Sequence, residues 1–171
     1  MSDLIDFLIG FDFTVTELQR RFENSQRPGV VHEVDPAKQR VRLLLGGTEA
    51  SPFLSPWVPY SQVAGELKVH SPPSKGQQMI FVCPDGDFRR GYAVPFTWSN
   101  QNPSPSSRGD EHVTTYGKSK QTVRKGQIRQ EVGPQAAHEV LEKAVSSKVG
   151  GSLVRLLRNQ VRAAASRIDL N

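Results

Sequence analysis

The chain has a single cysteine, Cys83, among its 171 residues, which excludes any disulfide within the chain. Cys83 ends the apolar run Met79–Cys83, where a buried small hydrophobe is expected rather than a reactive thiol. No run of about 18 apolar residues is present, and no basic-then-apolar leader opens the chain. Neither a transmembrane span nor a signal peptide is therefore expected, and folding in the cytoplasm is. Catalytic signatures are also missing. There is no G-x-S-x-G, no Cys–His arrangement and no phosphate-binding loop; Gly46–Gly47 and Gly150–Gly151 read as a turn and a helix break. His32, His70, His112 and His138 are scattered, with no pair at a ligand spacing, so no metal or other cofactor is expected. The neighbouring carboxylates Glu33 and Asp35, Asp85 and Asp87, and Asp110 and Glu111 fall at turns, where Asp serves the backbone. The chain is read as a non-enzyme.

What is present is uneven. Residues 1–107 carry 10 Lys or Arg against 11 Asp or Glu, and residues 108–171 carry 12 against 6. The near-neutral part holds most of the aromatics. The basic part could meet an anionic partner.

The stretch Pro56–Pro105 alternates short apolar runs with Pro and Gly turns. Val30–Leu45 reads as a hairpin turning at Asp35–Pro36, followed by strands near Trp57–Tyr60, Glu66–His70, Gln78–Cys83 and Arg90–Pro95. Short strands with turns every 8–12 residues predict a small closed OB-like barrel over residues 27–100. Its aromatics (Phe53, Trp57, Tyr60, Phe81, Tyr92, Phe96, Trp98) sit beside Pro or inside apolar runs and are read as core and seam. Before it, residues 1–26 are an apolar-acidic leader and a helix starting at Thr14 or Thr16 and closed by Pro28–Gly29. After it, residues 101–110 form a Pro/Ser/Gly linker.

Residues 111–133 divide into short strands at Gly117 and Gly126, too short and polar to fold alone. In residues 134–171 the period changes. Val140, Leu141, Ala144, Val145 and Val149 fit one amphipathic helix. Leu153, Leu157, Val161, Ala164 and Ile168 form the seam of a second, with Arg155, Arg158 and Arg162 on another face as candidates for an anionic partner.

The order of these parts resembles baseplate assembly protein V, the central spike of contractile phage tails, kin to type VI secretion spikes. The resemblance runs over roughly 14–132. It rests on Thr16–Asn24 leading to Arg27-Pro28-Gly29-Val30-Val31, on Glu33-Val34-Asp35 with Val41-Arg42-Leu43, and on Trp57-Val58-Pro59. It continues through Pro72–Gln77, Met79–Val82 with Pro84–Asp87, Gly91–Phe96, Asn102–Ser107 and His112–Gly117. It implies a homotrimer in the virion baseplate, assembled in the host cytoplasm. The barrels would dock on the tail hub protein, and residues 111–133 would intertwine as a short trimeric β-helix with Val113, Val123, Ile128 and Val132 in its core. The family's iron-binding His-x-His apex is absent here. The resemblance then implies a separate spike-tip protein, or tail helices folded back as a collar, beside other baseplate proteins and transient contact with the host envelope. The alternative is an OB-fold nucleic-acid-binding module with a basic helical tail. The near-neutral barrel argues against it.

Overall fold

The computed structural model describes residues 2–165, which divide into two compact units joined near Pro103–Ser104. Each is described by itself.

The first unit opens with helix α1 (Ser2–Glu23). The helix begins well before the expected Thr14 or Thr16. Thr14 caps nothing: its hydroxyl donates back to the Gly10 carbonyl at 2.8 Å, a bond of the helix interior. Near the C-terminal end Glu17 accepts from both Arg20 and Arg21 at 2.8 Å, a pairing of residues three and four apart. The chain leaves α1 through Asn24, whose side-chain amide donates to the Arg20 carbonyl.

The expected hairpin is β1 (Gln26–Asp35) and β2 (Arg40–Gly47), antiparallel with Val30 opposite Leu44 and Asp35 opposite Arg40. Its turn is held by the Lys38 backbone N–H donating to the Asp35 carboxylate at 3.0 Å. That bond is the first reason the Asp35 carboxyl titrates below its ordinary range. Strands β3 (Pro52–Leu54), β4 (Val58–Pro59), β5 (Gln78–Val82) and β6 (Tyr92–Pro95) follow. The strand order is β3-β2-β1-β5-β6, with β4 also paired to β2.

Two expectations need correction here. The ladder is not a closed barrel. Only a single parallel bridge, Tyr60 to Ala93, spans the gap, with the Ser61 N–H donating to the Ala93 carbonyl at 2.9 Å. The stretch Glu66–His70 is also not a strand; it supplies only one isolated bridge, Ala64 to Lys68. Its backbone bonds are local instead: the Gly65 N–H donates to the Leu67 carbonyl at 3.0 Å and the Val69 N–H to the Val63 carbonyl at 2.9 Å.

The core of this unit is Val31, Val41, Leu43, Val58, Tyr60, Met79, Phe81, Cys83 and Ala93. It follows from strand alternation: Val41 and Leu43 on β2, and Met79 and Phe81 on β5, point inward two residues apart. Phe88 closes the core from a 3-10 turn, with its ring edge-to-face to Phe81 at 5.1 Å between centroids. Cys83 is buried as expected, and burial pushes its thiol up to about 11.

The second unit is one antiparallel meander, β7 (Glu111–Tyr116), β8 (Ser119–Arg124), β9 (Gln127–Val132), β10 (Ala136–Leu141), β11 (Ala144–Val149), β12 (Ser152–Leu157) and β13 (Gln160–Ala164). The first three strands are the expected ones. The two helices expected in residues 134–171 are replaced by β10 to β13, and the seam Leu153, Leu157, Val161, Ala164 does not exist as one face; Ile168 lies outside the described residues. Strands of six residues joined by two-residue turns return apolar side chains at spacings of four and eight. A 3.6 period accommodates both spacings, which is why the pattern reads as helical.

Candidate functional site: an uncharged sheet face

Side chains directly opposite across a ladder share a face, so the register of the meander sorts its residues. One row crosses all seven strands: His112, Val123, Ile128, Val140, Val145, Leu156 and Val161, each paired with the next. Two residues along lies the row Thr114, Gln121, Gln130, His138, Ser147, Val154 and Ala163, and beyond it Tyr116, Ser119, Val132, Ala136, Val149 and Ser152. No Asp, Glu, Lys or Arg stands on this face. Every charged residue of the seven strands, from Glu111 and Lys120 to Arg155 and Arg162, stands on the opposite one.

Over β7 to β10 the charged face is laced by ion pairs and hydrogen bonds. Glu111 accepts from Arg124 at 2.6 Å and from the Ser106 hydroxyl, and these bonds, Ser106 first, hold its carboxyl below the usual range. Gln127 donates to Glu139 at 2.6 Å, and Arg129 donates to Glu131 at 2.8 Å. The Arg129 bond is the first cause of the lowered Glu131 carboxyl.

Among the described residues of this unit, none forms a second layer over the uncharged face. Val132 is 62% exposed, Val149 68% and Val161 73%. Among the described residues, Thr122 is the one position of the second unit that reaches full burial, and it lies on the charged side. The polar residues of the uncharged face need no ion partner. His138 and Ser147 join ring nitrogen to hydroxyl at 2.9 Å.

The expected site residues distribute as follows. Val123, Ile128 and Val132 lie on the uncharged face. Val113 pairs with Thr122 and lies on the charged one. Leu153 and Leu157 are on the charged face of β12, and Ala164 pairs with Leu153, whereas Val161 is on the uncharged face. Arg155 and Arg162 stand directly opposite each other, and Arg158 occupies the turn between their strands. Sequence reasoning missed Val140, Val145 and Leu156, which were assigned to helices. Strand alternation from Gln127 onward would have found them.

In the first unit the aromatics are less buried than expected. Phe81 and Tyr60 are core residues, but Phe53, Trp57, Tyr92, Phe96 and Trp98 are exposed. Phe96 and Trp98 line a shallow groove with Gln77, Gln78 and Asn102, where Asn102 donates to the Gly76 carbonyl at 3.0 Å. Arg20, Arg21, Arg89 and Arg90 line another, tempered by Asp85 and Asp87. No group of three or more metal-ligating side chains occurs among the described residues.

The sheet of the first unit points to a class: residues 27–98 match the model of the type VI secretion system/phage-baseplate injector OB domain. The chain is also similar to the "Spike protein" of Escherichia phage P2, with 29% identity over 97 residues, 56% of this chain and 44% of that protein. The chain thus spans less than half the length of that curated relative. The resemblance to the baseplate spike family is thereby shown.

Proposed function

We propose that this protein is a structural component of a contractile-tail baseplate, the trimeric central spike that links the tail hub to the spike tip and aids envelope penetration. The observation that carries the reading is the uncharged face of β7–β13, on a sheet with no second layer among the described residues of its unit. A single-layer sheet of this size leaves its apolar side in water unless another surface covers it. Three copies, each turning that face to a common axis, would bury Val123, Ile128, Val140, Val145, Leu156 and Val161 together and leave the charged faces outward. The match of residues 27–98 to the injector OB domain, earlier in the same chain, supports the placement in a baseplate. In this reading the protein is not an enzyme and uses no cofactor. It transmits force through a rigid interlocked trimer, its OB domains offer the hub a threefold docking surface, and a separate tip protein completes the point.

Sedimentation equilibrium tests the reading. A mass three times the 19.0 kDa chain, unchanged by oligonucleotide, is expected. A monomer that binds single-stranded DNA with a steep salt dependence would overturn it in favour of a nucleic-acid module.

A further inference from the structure

Helix α1 carries a feature that the spike reading does not use. Leu4, Leu8, Phe11, Val15, Leu18 and Phe22 follow one another at spacings of four, three, four, three and four. This is a heptad seam with Leu8, Val15 and Phe22 at its a positions and Leu4, Phe11 and Leu18 at its d positions. All six are exposed, from 44% at Val15 to 80% at Phe22. The fold holds α1 at its C-terminal end, where the Arg21 backbone abuts Gly86. A Cβ at Gly86 would lie 3.0 Å from the Arg21 Cα and carbonyl oxygen, so Gly86, at φ +71°, keeps that approach open. The whole helix is about 33 Å long by its rise per residue, and its seam has no cover among the described residues.

We infer that α1 forms a parallel coiled coil with the α1 helices of further copies of this chain. A seam in the 3.5-residue period fits another helix with the same period, and the chain itself supplies one. Flanking charge selects the direction. Overlaying the full seam antiparallel sets Asp12, an e position, against its own copy. The parallel arrangement sets Phe7 against Asp12 and Thr14 against Gln19 instead, with no like charges opposed. Ile5 and Phe7 extend the apolar stripe to the e and g positions of the first heptads. That makes it wider than a two-helix seam, as a bundle of three requires. The number three rests on the proposed trimer; the seam does not.

Cysteine cross-linking of the full chain tests it. Val15→Cys and Phe11→Cys place thiols on the seam, while Asp6→Cys and Phe13→Cys place them at f positions on the far side. The native Cys83 is buried and gives a low background. Under copper-phenanthroline oxidation, each seam variant is expected to form disulfide-linked dimers at least tenfold faster than the f variants. Equal rates, or no cross-linking, would overturn the coiled coil. Mixed Val15→Cys and Phe11→Cys dimers outpacing same-site dimers would overturn the parallel direction. If the unsubstituted chain has threefold mass but the seam does not cross-link, this inference fails and the spike reading stands. If the unsubstituted chain is monomeric, both fail.

Discussion

The two units of this chain reach stability by different routes. The first buries Phe81, Leu43, Val41 and Met79 under its own curled sheet, a core complete within one chain. The second has more strands and nearly regular pairing, yet its apolar residues stand exposed on one side. Backbone hydrogen bonding alone does not separate the two, since both have long ladders. The difference lies in whether a second layer exists to take the apolar face out of water. A core that is missing within a chain but marked out by a charge-free face points to self-association more directly than overall composition does.

The largest effect that would break this comparison belongs to the first unit. Phe81→Ala removes a fully buried ring and should cost about 3–5 kcal/mol. Equilibrium denaturation would show it as a loss confined to a transition that does not depend on protein concentration. The converse substitution, Ile128→Lys, introduces a charge into the middle of the uncharged row. It should disperse the assembly to monomers in sedimentation velocity and leave the first unit's transition in place. A trimer that survives Ile128→Lys would place the shared core elsewhere.

A smaller effect is expected on the opposite face. Arg155 and Arg162 face each other across β12 and β13, and Arg155→Glu would replace like charges with an opposite pair. Stability should rise by roughly 0.2–1 kcal/mol with the mass unchanged. A loss of assembly would show that this face is also covered. The smallest effect belongs to α1. Hydrogen bonds first from Arg20 and then from Arg21 lower the Glu17 carboxyl to about 2, against 4.5 for an unperturbed group. A depressed carboxyl contributes its stability above the unfolded value and loses it as pH falls through the folded one. Carboxyl NMR should find Glu17 still mostly ionised at pH 3, with its contribution to the end of α1 shrinking progressively as pH falls from 4.5 and gone below about 2.

Much of the first unit was legible in the sequence. The Asp35–Pro36 turn, the alternation Val41, Leu43 and the run Met79–Cys83 each state a strand and its buried side, and all three stand in the structure. Exposed Phe96 and Trp98 were not legible, because proximity to Pro says nothing of which side a ring takes. In the second unit β7 to β9 were marked by Gly117 and Gly126, both at positive φ. The turn at Glu142–Lys143 contains no glycine, so β10 and β11 merged into an apparent helix. The same periodicity concealed half of the uncharged face. On α1, only the part after Thr14 was assigned, because the apolar-acidic leader shows its heptad only when read through to Phe22.

The strands of the second unit begin at residues 111, 119, 127, 136, 144, 152 and 160. Each strand and turn therefore uses eight residues, or nine at Gly133-Pro134-Gln135, and adds about 4.8 Å across the sheet. The sheet is a ruler with a fixed step. Its span can be lengthened or shortened by inserting or deleting whole steps, without redesigning any side chain. Single steps reverse the side on which the chain leaves. Only changes of two steps, sixteen residues and about 9.6 Å, preserve the exit, so variation in reach should come in pairs of strands.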